Sequence, residues 1–463
     1  MNMKRSYLKN IALALSVVFT VQSCNWVDPD INVDPDSPTD VPMSLILPNV
    51  QANLAYDIGG NDIVRPLNIW MQYFNGHSRQ SNAQARYIYT PSDVNNLWNS
   101  FYYGSLMDLR KIEEKAEQTN SNHYLGVTYV LQALSLMTLT DLYGDIPWSE
   151  ALNEGANLNP KPDPQQEIYA NVIAMLDRAI ELLGKPNEGE PLKGDLIFDN
   201  DEKKWKDAAY ALKARAQLVQ SKKNPNAYAD VRATLIEGGL SEGDNMTFAF
   251  SEAGGCAHPI YQFLDQRGDI NMGKTFVDYL ISTNDPRLAF YSNGAVGGVI
   301  GSEEQDGIAT VGPYIGSNDS KVWFITYAEQ KFMEAEALLP TNPGAAHEAY
   351  LKAIEASLVQ VGVPNADDDK WKTNYPAFYD AVRFTDPNNL TLEAIINQKY
   401  VALFGTMYCY NDWRRTGYPN FLVVPQNAVQ NEIPRRYPYS QSEIVYNENI
   451  NPVSINERVW WDE

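Results

Sequence analysis

Tyr124 to Leu142 is apolar on nearly all sides. A helix of that kind has no face to offer water, so it forms only where other helices enclose it. The neighbours are present in the same sequence. Between Val94 and Ala116, apolar residues fall at Val94, Leu97, Trp98, Phe101, Tyr102, Leu106, Leu109 and Ile112, a stripe of helical period. Asp163-Pro164-Gln165-Gln166 reads as an N-cap, a proline at the first helical position and a capping-box partner. Its helix carries Ile168, Val172, Met175, Leu176, Ala179 and Leu183, and stops at Gly184. Further helical patterns cover residues 203–220, 227–236, 327–339, 345–361 and 391–404. They come as antiparallel-looking pairs with Ala at the contact positions, which suggests tetratricopeptide-like stacking, although a strict 34-residue period is absent. Residues 40–92, 240–325 and 405–463 read as long irregular stretches that hold much of the Gly and many of the Tyr and Trp. Loops on a rigid scaffold are where binding usually sits.

The N-terminus sets an address. Lys4, Arg5 and Lys9 precede an apolar run from Ile11 to Val21 that is too short to span a bilayer but suits a signal-peptide core. Val21-Gln22-Ser23-Cys24 follows, and this resembles a bacterial lipobox in which Cys24 becomes the lipidated first residue. The competing reading is an ordinary thiol after a conventional cleavage site; the position of Cys24 directly behind the apolar run favours lipidation. From Cys24 to Val64 there is no Lys or Arg, but there are seven Asp, and Pro29, Pro35, Pro38, Pro42 and Pro48 keep the stretch extended. Asp28-x-Asp30-x-Asn32 is no EF-hand loop, because Val33 replaces the required Gly and Thr39 the terminal Glu. The division expected is a signal peptide over 1–23, an acidic tether over 24–48, and one domain over 49–463. Cys256 and Cys409 either pair or remain buried thiols.

Charge narrows the partners. With 36 Lys and Arg against 58 Asp and Glu the chain carries a formal −22, and removal of residues 1–23 takes it to −25. This excludes a nucleic-acid partner. It also leaves no electrostatic hold on an anionic membrane, so the anchor must be lipid. Uncharged ligands are favoured over acidic ones unless a local arginine patch reverses the field.

Catalytic patterns fail on context. Gly268-Asp-Ile-Asn-Met-Gly273-Lys274-Thr275 matches the phosphate-loop pattern, but residues 261–267 make a poor buried strand before it. Gly239-Leu-Ser241-Glu-Gly243 matches the nucleophile elbow, yet a helix precedes it where a strand is needed. His77, His123, His258 and His347 never fall at zinc-protease spacing. No metal or cofactor is expected. An acid pair of glycosidase type is neither shown nor excluded by 58 carboxylates.

Residues 138–152 (TLTDLYGDIPWSEAL), 325–337 (ITYAEQKFMEAEA), 398–404 (QKYVALF), 411–419 (NDWRRTGYP) and 433–439 (IPRRYPY) stand out, with Asn284-Asp-Pro-Arg-Leu288 and the terminal Trp460-Trp461-Asp462. Together these segments resemble the SusD/RagB family of outer-membrane nutrient-binding lipoproteins. The resemblance implies a mainly α fold in which tetratricopeptide-like helix pairs form a right-handed superhelical scaffold with a loop-rich ligand-binding face. It implies a non-catalytic, lipid-anchored outer-membrane protein facing the cell exterior. Such a protein binds glycans and delivers them to a SusC-like TonB-dependent transporter. A peptide-binding member of the family and an all-helical surface glycoside hydrolase are the alternatives. Only Cys24 carries over by motif. Within 411–419, Arg414 and Arg415 read as residues that hold carboxylates or helix ends, with a grip on an anionic ligand as the rival.

Sugar recognition needs flat aromatic platforms beside planar polar side chains. Tyr (28) outnumbers Phe (15), and Tyr and Trp are the aromatics suited to a wet surface. One candidate cluster is Trp70, Gln72, Tyr73, Asn75, His77 and Arg79, with Arg86, Tyr87 and Tyr89 behind; a second is Tyr261, Gln262, Tyr314 and Trp323. For any single aromatic, filling the core is the stronger expectation.

Overall fold

The apolar helix is enclosed as its composition requires. In the computed structural model, which describes residues 41–153, 157–253 and 255–463, it runs from Asn122 to Tyr143 and every residue from Val130 to Tyr143 is buried. It is long and apolar enough to cross a membrane, but here it lies inside the protein. Met107–Thr119 and Gln165–Leu183 pack against it. The order of packing then follows the chain. Gln165–Leu183 meets Glu202–Val219, which meets Ala227–Glu237; this helix touches Tyr327–Leu338, which packs on Pro343–Val361 and on Leu392–Ala402. Ala208, Ala209, Ala211, Ala214 and Ala216 on one side, and Ala335, Ala337, Ala349 and Ala353 on the other, are buried. Small contact residues let helix axes approach closely. The protein is mainly α; its strands form three two-stranded antiparallel pairs among the described residues.

Three local expectations need correction. Residues 43–48, expected as extended tether, form the start of a helix, Met43–Ile58, with Pro48 inside it; the irregular reading of residues 40–92 also missed Val64–Trp70 and Arg79–Ala85. Asp163 does not cap the helix after it. Its carboxylate accepts from the backbone N–H groups of Trp148 and Ser149, both at 2.8 Å. The helix begins at Gln165, whose N–H donates instead to Asp145 Oδ1 at 2.8 Å. The stripe over Val94–Ala116 is helical but not uniform, with a π-helical turn at Ser100–Leu106. Such wide turns recur at functional sites.

The resembling segments meet in the interior as one network of buried charge. Asp141 accepts from Asn411 Nδ2 at 2.6 Å, Trp461 Nε1 at 3.1 Å and the Tyr169 hydroxyl at 2.5 Å. Arg415 forms ion pairs with Glu336 and Asp412, and Lys399 reaches Asp412 at 2.8 Å. Burial alone would raise Asp412, but Lys399 and Arg415 hold its carboxyl below the ordinary value. Arg414 lies over the rings of Tyr410 and Trp461 at 4.1 and 4.5 Å. Arg415 therefore holds carboxylates in the interior, whereas Arg414, equally buried, donates to the Arg435 carbonyl and to Asn411 Oδ1. Arg287 of the 284–288 segment forks onto Asp285 at 2.6 and 2.9 Å and also donates to Ser357 and Gln398. A cavity of about 20 Å³ inside the network has room for a single water.

Cys256 is exposed and Cys409 buried, and neither forms a disulfide. Burial pushes the Cys409 thiol up to about 12. Cys24, the signal segment and residues 25–40 of the tether lie outside the described residues.

Candidate functional site

The first aromatic cluster is core, not platform. Trp70 is fully buried, donates from Nε1 to the Gln84 carbonyl at 3.2 Å, and meets Tyr89 and Tyr437 edge-on at 5.3 and 5.6 Å. Tyr73 is likewise sealed, stacked on Tyr400 at 4.3 Å with its hydroxyl on the Tyr400 carbonyl. Tyr89 packs on Tyr437 at 4.9 Å. The expectation that these rings face a ligand fails, because partners from residues 400–437 cover them. Arg79 remains largely exposed and pairs with the buried Asp269 at 2.8 Å.

What residues 70–89 do is hold two loops together. Gln72 Nε2 donates to the Val423 carbonyl at 2.5 Å, and Gln72 Oε1 accepts from the Val423 N–H at 3.1 Å and from the Thr275 hydroxyl at 2.7 Å. Asn75 Oδ1 accepts from Gly301 N–H at 2.8 Å, and its Nδ2 donates to the Ser302 carbonyl at 2.9 Å. Arg86 donates from Nε to the Asn427 carbonyl at 2.9 Å, while the Val429 N–H donates to the Arg86 carbonyl. The loops also touch directly: Gln426 N–H donates to the Ile300 carbonyl at 2.7 Å. Gly301 sits at φ +82°, and a Cβ there would lie 2.2 Å from the Gln426 carbonyl, so only glycine fits. Gln72, Arg79 and Tyr87 adopt φ of 62°, 49° and 66°. Such left-handed backbone is uncommon for non-glycine residues and costs free energy that surrounding contacts must offset.

Two adjoining clefts result, both lined by Val423. The polar one, about 390 Å³, is walled by Tyr87, Trp413, Asn420, Asn431, Glu432, Arg435 and Arg458. The Arg435 guanidinium lies 4.3 Å above the Trp413 ring. Tyr87 is buried with its hydroxyl unpartnered, and burial raises that hydroxyl above its ordinary value. The apolar cleft, about 450 Å³, is walled by Tyr279, Phe421, Val299, Ile300 and Val423, with the Lys274–Asp278 ion pair (2.7 Å) at its rim. Tyr279 and Phe421 stack at 4.8 Å. Both volumes fall in the range of small-ligand sites, and aromatic rings beside amides and guanidinium groups are what a sugar needs.

The phosphate-loop match resolves here. Strand Ile270–Met272 pairs with Phe74–Gly76, and the Gly273 and Lys274 N–H groups already donate to the Tyr73 and Gly298 carbonyls. Donors committed to the fold cannot cradle a phosphate. Of the second cluster, Tyr314 and Trp323 stack in parallel at 5.9 Å, half-buried, and Gln360 donates to the Tyr314 hydroxyl at 2.7 Å. Tyr261 and Gln262 are half-buried on Pro259–Gln266, which packs against the turn carrying Tyr314. Sequence reasoning named Trp413 and Arg435 only as parts of family segments; nothing in their spacing marks them as cleft residues. Among the described residues, no group of three or more His, Cys, Asp or Glu is placed to hold a metal.

A search of curated proteins finds no match. Among solved structures, a SusD/RagB family protein from Bacteroides thetaiotaomicron superposes with a TM-score of 0.78 at 24% identity, covering 91% of this chain and 99% of that one. A chitin-binding SusD homologue from Flavobacterium johnsoniae gives 0.75 at 22%, covering 91% and 97%. A SusD homologue from Bacteroides fragilis gives 0.72 at 21%, covering 92% and 100%. At these identities the likeness is one of fold. The family itself is established by sequence: the SusD-like profile, described as starch-binding and associating with the outer membrane, matches residues 35–440. The chain thus belongs to the SusD/RagB family of outer-membrane nutrient-binding proteins.

Proposed function

We propose that the chain is a non-catalytic, lipid-anchored cell-surface protein that captures glycans and passes them to a SusC-like TonB-dependent outer-membrane transporter. The observation that carries the reading is the polar cleft beside Trp413, in a family described by starch binding. The half-buried Trp413 indole, which carries the Arg435 guanidinium over its ring, gives apolar contact for a sugar's CH groups, and Asn420, Asn431 and the arginines supply planar donors and acceptors for its hydroxyls. Each cleft is lined by a single carboxylate, Glu432 in one and Asp278 in the other, and Asp278 is paired with Lys274. Glycoside hydrolysis uses two facing carboxyl groups, so capture is the better reading of this face. Lipid at Cys24 supplies the anchor that the acidic tether cannot.

Glycan-array screening of the mature chain tests the reading. Binding to oligosaccharides without release of new reducing ends supports it; new reducing ends identify a hydrolase, and silence across a broad array overturns it. Cys24→Ala is expected to release the protein from membranes, and retention there overturns the anchoring claim.

A further inference from the structure

The two cations lining the polar cleft, Arg435 and Arg458, lean on the same carboxylate. Arg458 Nη1 lies 2.9 Å from Asp462 Oδ1, Arg435 Nη1 lies 3.3 Å from Asp462 Oδ2, and Lys222 Nζ approaches the same carboxylate at 3.1 Å. Asp462 is fully buried, so one carboxylate serves three cations. Its contacts with both arginines use Nη1 alone. Nε and Nη2 of Arg435 and of Arg458 have no hydrogen-bond partner among the described residues. The one acidic residue in the lining is Glu432. The Arg435 guanidinium is held below its ordinary value first by burial, which Asp462 opposes and Arg458 reinforces.

We propose that this cleft binds an acidic sugar, with a carboxylate or sulfate on the free edges of Arg435 and Arg458 and the sugar ring beside Trp413. This rests on the reading of the cleft as the glycan site and names the ligand's class. Guanidinium forks match planar anionic groups with two parallel hydrogen bonds. The Trp413 ring lies 4.3 Å beneath the Arg435 guanidinium, whose protein hydrogen bonds use Nη1 alone. The protein's overall −25 does not oppose this at contact distance. Beyond a screening length of about 8 Å at physiological salt, the remaining carboxylates act weakly, whereas the arginines touch the ligand. The local arginine pair therefore reverses the preference that net charge alone would set.

The test is calorimetric titration of the mature chain with oligogalacturonate, its neutral methyl ester, a chondroitin-sulfate oligosaccharide, and malto- and chito-oligosaccharides. The first and third arms separate carboxylate from sulfate, and the ester isolates charge on an otherwise identical backbone. An acidic ligand is expected to bind about tenfold or more tighter than the neutral ones, and to weaken as salt rises. Arg458→Gln is expected to remove that advantage. Its side chain is half-exposed, so the fold survives the change; Arg435→Gln, checked by circular dichroism, is the second variant. Neutral ligands binding as tightly as acidic ones, or acidic binding untouched by Arg458→Gln, overturns the inference and leaves the glycan reading standing. No binding in any arm overturns both.

Discussion

Gln72 and Val423 are joined by two hydrogen bonds, one from the side-chain amide to the Val423 carbonyl and one back from the Val423 N–H, across 351 positions of sequence. This single side chain fixes the segment shared by both clefts. Gln72→Leu removes both bonds and leaves the Val423 backbone groups without their partner. The expected cost is about 1–3 kcal/mol in urea unfolding, with loss of glycan affinity larger than the fraction unfolded explains. Wild-type affinity in the variant would show that the loop position does not depend on Gln72.

Trp70 is a core residue on this account, so Trp70→Ala should act through stability. An unfilled indole cavity costs about 3–5 kcal/mol. Binding per folded molecule should stay near wild type. A stable Trp70→Ala protein that has lost its ligand would restore Trp70 as a platform.

The buried charge network predicts a sharp response to neutralising one member. Glu336 holds Arg415 and accepts from the Tyr228 hydroxyl at 3.1 Å. Glu336→Gln leaves Arg415 with Asp412, which it must share with Lys399. The expected loss is about 3–5 kcal/mol, seen as a lowered midpoint in thermal unfolding.

Asp57 sets a pH dependence. Burial raises its carboxyl to about 7, an effect that a hydrogen bond from Ser100 opposes and Asp62 reinforces; its Oδ2 is buried without a partner. A folded-state pKa above the unfolded one means the folded chain holds the extra proton. The stability associated with that proton is present at about pH 4 and is lost as pH rises to 7. Asp57→Asn should flatten this slope and gain about 2–4 kcal/mol at pH 8. Parallel stability curves for the two proteins between pH 4 and 8 would contradict the assignment.

The helices were legible in the sequence where apolar residues recur at helical period, as at Gln165–Leu183, or run on all sides, as at Asn122–Tyr143, because both patterns report burial from one chain segment alone. Met43–Ile58 was not, because Pro48 and the acidic approach to it mimic an extended tether. Asp163 failed as a cap because the competing N–H groups of Trp148 and Ser149 come from a neighbouring turn. The candidate site was legible as a region and misread in role. Residues 70–89 have the composition of a sugar platform, yet Trp70 is covered by Tyr410 and Tyr437, more than 300 positions away. Arg414 and Arg435 look alike in sequence. Only the fold places one among buried rings and the other at a cleft with free donor edges.

The most direct test of the account is calorimetry with the glycan that binds best, comparing Trp413→Ala with Trp323→Ala. The account predicts that Trp413→Ala weakens binding about tenfold or more, whereas Trp323→Ala leaves it near wild type. Loss of binding in Trp323→Ala, with Trp413→Ala unaffected, would place the ligand on the Tyr314–Trp323 stack and contradict the site described here.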